Sequence, residues 1–373
     1  MLNFIAIHPA GLGDALEDLI LFKAILKNNE NVNIHYLGNH FSTELVNLSN
    51  IFNLTVYPLN KKTEINVKTI LNPKNIKEIL RCPKYVELAY VFPGMNLKRT
   101  ALLKYILKPK NFIGALLDYP IPNLEHVIPK KNSYDKIHYN MKGQNRLQMN
   151  KYYLSNYLKI GELDFNIFNY KKIFSFGLNE FPDLTKNYMI IHIGSSDRFP
   201  IKSLSIDNWS KLVNKIIDNY FFDIVFIGGV NEQKIINTII SNIKNKSKEK
   251  VKNLAGKTSI KQLIKLILYS EVIISSDSGP GQIAGIMGKK QIMLFGPTSH
   301  TIGNPLNAKC LKIMKEYECS PCYGTENYFN CPYGNKCMDD ISIDTILESI
   351  SLIDEQSFDS AKTNDDFVIR CSD

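Results

Sequence analysis

Four times after residue 187 a short apolar run halts on small or polar residues: 189–193 on Gly194-Ser195-Ser196, 223–227 on Gly228-Gly229, 272–275 on Ser276-Asp277-Ser278-Gly279, and 291–295 on Gly296-Pro297-Thr298. Amphipathic stretches such as 209–219 and 259–269 lie between them. Apolar runs of strand length alternating with helical periodicity specify parallel strands joined by crossover helices, since only a crossover returns the chain to the start of a neighbouring parallel strand. The result is a doubly wound α/β domain, in which ligands bind outside the carboxyl ends of the strands. The first forty residues repeat the theme. Phe4-Ile5-Ala6-Ile7 stops at Pro9-Ala10-Gly11-Leu12-Gly13, residues 15–27 carry apolar positions at helical spacing, and 32–37 resumes as a strand ending at Gly38.

Two such domains are therefore expected, 1–180 and 181–353, followed by a polar tail over 354–373. A chain of 373 residues has room for both, and each is large enough to bury its own core. The region from about 60 to 180 is Lys-, Asn- and Pro-rich and yields only short apolar segments, 85–92 and 112–115. No internal repeat of 20–50 residues is evident.

Charge is unevenly placed. The net +9 conceals a window, 61–151, with 18 basic and 6 acidic residues, while the remainder sums to −3. Such a block suits a nucleic acid, an anionic membrane or an anionic substrate, and it is also what a Lys-, Asn- and Ile-rich chain carries as solvated surface. Nucleic acid is disfavoured, because the block has neither interleaved Gly and aromatic residues nor a zinc-finger or helix-turn-helix signature. No apolar run reaches membrane-spanning length, and Asp14, Glu17 and Asp18 interrupt any signal-peptide core, so a cytoplasmic location with reduced thiols is expected. Two motif fragments are decoys. Gly11-Leu12-Gly13 lacks the third glycine and the ribose-binding carboxylate of a dinucleotide fingerprint, and Gly256-Lys257-Thr258 lacks the first glycine of a P-loop.

Read together, the Gly11-Leu12-Gly13-Asp14 turn, Ile191-His192-Ile193-Gly194-Ser195-Ser196 with Lys202 and Trp209, Gly228-Gly229 with Glu232, 253–259, Ser276-Asp277-Ser278-Gly279-Pro280, and Phe295-Gly296-Pro297-Thr298 form an ordered series. Cys319-Ser320-Pro321-Cys322 with Cys331, Cys337 and Met338 completes it. The series resembles glycosyltransferase family nine, the bacterial heptosyltransferases, most specifically over 188–338. That resemblance implies a GT-B fold, two Rossmann-like domains facing a central cleft. It also implies inverting, metal-independent transfer of a sugar, typically from ADP-heptose, to a hydroxyl of a growing glycan.

Inverting transfer needs a base for the acceptor hydroxyl and positive charge or hydrogen-bond donors for the departing diphosphate. The resemblance assigns the base to Asp14, beside Gly13. A carboxylate at a helix start is also an ordinary first-turn residue, and the helix dipole would weaken it as a base. For the donor, the resemblance implies Ser195, Ser196, Lys202, Ser278 and Gly279 around the diphosphate, Glu232 at the nucleoside and Asp277 at the sugar, with Gly13 and Gln282 also at the donor site. Gln282 stands where the family usually has His; it can donate and accept hydrogen bonds but carries no charge.

Cys319, Cys322, Cys331 and Cys337 gather four of the seven cysteines within 19 residues. In a reducing compartment such spacing favours metal over disulfides, and four thiolates suit a closed structural Zn or Fe site. The protein-modifying autotransporter heptosyltransferases resemble this pattern with bound iron. No cofactor is expected for catalysis itself.

Three functions follow as expectations. The first is a heptosyltransferase of lipopolysaccharide core or a related surface glycan, whose anionic glycolipid acceptor would meet the basic half at the cytoplasmic face of the inner membrane. The second is a protein O-heptosyltransferase modifying autotransporter adhesins. The third is a lapsed transferase that still binds nucleotide or glycan, suggested by Gln282.

Overall fold

The structure, a computed structural model, describes residues 1–9, 11–59, 70, 72–93, 95–116, 133–139, 145–174, 181, 184, 187–194, 200–303, 310–323, 325–355 and 368–371. It divides into two units, Met1–Lys172 and Ile173–Asp373. The division falls ahead of the expected boundary at 180/181.

In the first unit, strands β1 (Leu2–Ile7), β2 (Val32–Gly38), β3 (Leu54–Pro58), β4 (Leu88–Val91), β5 (Asn111–Leu116) and β6 (Lys136–Tyr139) form one sheet in the order β3-β2-β1-β4-β5-β6. Every pairing is parallel; Ile5 lies between His35 on one side and Ala89 on the other. Helix α1 (Leu12–Lys27) follows β1, and α2 (His40–Leu48) follows β2 with Asn39 as its N-cap. Both faces of the central strands are covered, which is why β4 is a continuous run of buried residues without polar alternation. On the α1 side Phe22 packs edge-on against Tyr36, centroids 5.0 Å apart. On the other, Ile5, Ile7, Val91 and Phe112 join one apolar cluster.

The second unit repeats the plan with β7 (Tyr188–His192), β8 (Asp223–Ile227), β9 (Val251–Asn253), β10 (Ile273–Ser276), β11 (Gln291–Phe295), β12 (Cys310–Met314) and β13 (Val368–Arg370), in the order β13-β12-β11-β10-β7-β8-β9. All pairings are again parallel. Trp209, 1% exposed, anchors the core below the sheet and donates its indole N–H to Ser203 at 2.9 Å. The segment expected only as a polar tail, 354–373, supplies the edge strand β13: Val368, Ile369 and Arg370 pair with Lys312, Ile313 and Met314. Three residues are too few for strand periodicity to stand out in the sequence.

In each sheet the strand order reverses once, between β1 and β4 and between β7 and β10. Crossover connections leave in opposite directions at such a point, opening a crevice beyond the strand ends. The residues following β1, β7 and β10 are therefore the ones placed to meet a ligand. No helix among the described residues is long and apolar enough to cross a membrane.

Candidate functional site

In the first unit, the chain leaves β1 at Ile7 and enters α1 with Gly11 as N-cap. Gly13 lies in the first turn, and Asp14 is the third helical residue, its Oδ2 accepting the Gly11 N–H at 3.0 Å. The ordinary first-turn role and the exposed carboxylate thus coexist. The Asp14 side chain remains 40% exposed while Arg146, 13% exposed, donates to its Oδ1. Burial pushes the Asp14 carboxyl up, but the Arg146 guanidinium, the charge of His8 and the Gly11 N–H outweigh it and hold the group below the usual carboxylate range.

Arg146 is the first residue of α3 (Arg146–Leu154), where Asn145 caps the helix by accepting the Gln148 N–H at 2.9 Å. Its Nε also donates to Glu17 at 2.9 Å. Glu17 moves the other way from Asp14, because desolvation is reinforced by Asp14 and Asp18 and only partly opposed by Arg146. Asp18 points beneath the helix, 2.7 Å from His8 Nδ1, and accepts the Tyr36 hydroxyl at 2.6 Å. None of Arg146, Glu17, Asp18 and His8 was expected at a site. A signal existed, since three carboxylates within one turn of α1 require cations or donors from elsewhere; the identity of the cation, 132 residues away, had none.

In the second unit, Lys202 lies in a 3-10 turn after β7, with Nζ 3.0 Å from Asp277 Oδ2 just beyond β10 and 4.7 Å from the centre of the Tyr323 ring. The residues expected at the diphosphate and at the sugar are therefore brought together as an ion pair across the reversal point. Ser278 caps α4 and accepts the Gly281 N–H at 3.4 Å, with Gly279 beginning a helix that runs Gly279–Ile286. In its first turn Pro280 has no N–H and the Gly281 N–H goes to Ser278, so the donor this end can offer an anion is the Gly279 N–H.

Gln282, buried at the site, donates its amide to the Gly303 carbonyl at 3.3 Å. A Cβ on Gly303 would meet the Asp277 carboxyl carbon at 3.0 Å. Gln282 thus holds a backbone segment against Asp277, which a neutral amide does without adding charge to the Lys202 pair. Glu232 is buried and accepts the Gly229 N–H at 2.6 Å. His192 Nε2 approaches it at 3.6 Å. Burial depresses the His192 ring to about 4, so near neutral pH this is a neutral imidazole beside a carboxylate and not an ion pair. Gly194, at φ +73°, passes so close to Ser276 that a Cβ would stand 1.6 Å from the hydroxyl. Ser195 and Ser196 lie outside the described residues.

Cys319, Cys322, Cys331 and Cys337 are near enough to influence one another electrostatically, yet no group of three or more His, Cys, Asp or Glu among the described residues is arranged to hold a metal ion. Cys337 is committed to packing: a Cβ on Gly296 would lie 3.0 Å from its Sγ, and burial with the neighbouring thiols pushes it up to about 12. Cys331 Sγ accepts the Asn335 N–H at 3.3 Å. The segment braces the Lys202 turn, through Tyr323 under the ammonium and Asn335 Nδ2 donating to the Ser203 carbonyl at 3.0 Å.

Residues 159–332 match glycosyltransferase family 9 (heptosyltransferase). The chain is 33% identical over 129 residues to lipooligosaccharide heptosyltransferase 2 of Campylobacter jejuni, a match covering 34% of this chain and 39% of that protein. It spans about two fifths of the length of the curated relatives it matches at this level. The structure of the ADP-heptose lipopolysaccharide heptosyltransferase II of Escherichia coli aligns with a TM-score of 0.69 at 16% identity, covering 94% of this chain and 98% of that one. An iron-containing dodecameric glycosyltransferase of enterotoxigenic E. coli aligns with a TM-score of 0.55 at 10% identity, covering 95% and 78%. The fold class is the expected GT-B, with two doubly wound parallel-sheet α/β units.

Proposed function

We propose, from the match of residues 159–332 to glycosyltransferase family 9 (heptosyltransferase), that this chain is an inverting heptosyltransferase taking ADP-heptose as donor and a hydroxyl of a lipopolysaccharide core or related surface glycan as acceptor. The observation that carries the reading is the pairing of Lys202 with Asp277 where the second sheet reverses, next to the open N-terminus of the helix that Ser278 caps. That arrangement offers a diphosphate the Lys202 ammonium and the Gly279 N–H, without requiring a metal.

In this mechanism Asp14 takes the proton of the acceptor hydroxyl as its oxygen attacks the anomeric carbon. The bond from that carbon to the diphosphate breaks on the opposite face, which inverts the configuration, and ADP leaves with its new charge met by Lys202. Asp14 then releases its proton to solvent. A partly exposed carboxylate with both oxygens oriented suits this task, since each oxygen keeps a second lone pair for the incoming hydroxyl. Glu232, beside the Gly228-Gly229 turn, suits the nucleoside hydroxyls.

The test is a screen of purified protein against ADP-, UDP-, GDP- and CMP-linked sugars, scoring binding and donor hydrolysis, followed by transfer to truncated lipopolysaccharide and to an autotransporter fragment. Selective use of ADP-heptose with the glycan acceptor is expected, and Asp14→Ala should lose transfer while ADP affinity stays within a few-fold. Transfer to the protein alone would replace the acceptor, and binding without turnover on either would leave a lapsed enzyme.

A further inference from the structure

We propose that Arg146 is the positioning residue for Asp14, clamping the carboxylate against the start of α1, and that Glu17 competes for the same guanidinium; the inference rests on the reading of Asp14 as the base. Three carboxylates, Asp14, Glu17 and Asp18, occupy one turn of α1. Asp18 is withdrawn from the contest by His8 and Tyr36 beneath the helix. The other two share one cation. Arg146 gives Nη1 to Asp14 Oδ1 and Nε to Glu17 Oε2, with Nη2 also 2.8 Å from that Glu17 oxygen.

Both ends of the clamp are stiff. Arg146 projects from the first turn of a capped helix, and its neighbours Leu147 and Met149 are buried, so its backbone has little freedom. At the other end, the Gly11 N–H fixes Asp14 Oδ2 while Arg146 takes Oδ1, leaving the carboxylate one orientation. A guanidinium is suited to this because its planar fork bonds two carboxylates in fixed directions, which an ammonium does not.

The charged and titratable groups around Asp14 are Arg146 on α3, Glu17 and Asp18 on α1, His8 after β1 and Tyr36 on β2. Within this set the two partners act in opposite directions. Removing Arg146 deletes the nearest positive charge, so Asp14 becomes easier to protonate. Removing the charge of Glu17 deletes a repulsion and leaves the guanidinium to Asp14 alone, so Asp14 becomes harder to protonate. A base works only when deprotonated, and the acid limb of its pH–rate profile follows these changes.

The experiment measures kcat/KM against pH for wild type, Arg146→Gln, Arg146→Lys, Glu17→Gln and Asp14→Asn, with ADP affinity and thermal melting for each. The acid limb is expected to move up by about one pH unit in Arg146→Gln and down in Glu17→Gln. Arg146→Lys should keep the limb near wild type while lowering kcat, because charge is retained and orientation is lost. Arg146→Gln and Glu17→Gln limbs that coincide with wild type, or that shift in the same direction, overturn the proposal. If Arg146→Gln does not fold, the other two variants decide the matter: a Glu17→Gln limb that does not move down, or an Arg146→Lys kcat equal to wild type, overturns the proposal. Turnover retained in Asp14→Asn would remove the base reading itself, a failure distinct from unshifted limbs with Asp14→Asn inactive.

Discussion

Lys202 shows how much a single side chain can be assigned and how its neighbours change the expectation. Its ammonium is paired with Asp277 and rests on the Tyr323 ring, so a diphosphate must compete with a carboxylate for it. Removing the lysine does two things: it deletes a charge-assisted bond worth about 1.5–3 kcal/mol and leaves Asp277 to repel the phosphates. Lys202→Ala is therefore expected to weaken ADP binding by tenfold or more in calorimetric titration, with adenosine binding nearly unchanged; equal loss for both ligands would remove Lys202 from the phosphate site. Gln282 is the other instructive residue. Its amide is engaged with the Gly303 carbonyl, and its chemistry here is to hold backbone near Asp277.

At the level of elements, the ends of strands and the starts of helices carry nearly all the polar work. Asn39, Asn145, Ser205, Ser259 and Ser278 cap their helices, and Ser259 forms a reciprocal box with Gln262. The end of β7 holds a group with a measurable consequence. His192 titrates near 4 in the folded chain and at its ordinary value when unfolded, so between those values the unfolded state binds more protons. Its contribution to stability is complete above about pH 6.5 and is lost as pH falls through 4, a loss on the order of 3 kcal/mol. His192→Asn should flatten the decline in melting temperature over that window. A decline as steep as wild type would show that other groups drive it.

Across the whole molecule, the +12 of residues 61–151 lies within the unit that contains Asp14, opposite in sequence to the unit containing Lys202. Some of its lysines already have partners: Lys104 pairs with Asp135 at 2.8 Å, and Lys108 stands over the exposed Tyr85 ring. The proposed acceptor is anionic, so the excess is expected to act on acceptor encounter and, through the same charge, on peripheral contact with an anionic membrane face. Replacing Lys98, Lys108 and Lys110 with Ala should raise the acceptor KM several-fold and flatten its salt dependence, with the donor KM unchanged. An unaltered salt dependence would leave these residues as solvated surface.

Strand-and-turn punctuation made both sheets of the protein legible from the sequence wherever buried strands read as continuous apolar runs; 223–227 and 291–295 match β8 and β11 to the residue. The reason is local, since a strand covered on both faces cannot contain polar residues without partners. Asp14, Lys202, Asp277 and Ser278 were singled out by the resemblance to glycosyltransferase family nine, and each lies beyond the end of β1, β7 or β10. What tertiary structure alone decided lies between segments distant in sequence: that Arg146 joins Asp14 and Glu17, that Lys202 joins Asp277, that residues 368–370 extend a sheet, and that Cys337 lies under Gly296. Spacing along a chain limits which side chains can meet; which of them do meet is settled by the packing of the core, whose contacts carry no signature in any one segment.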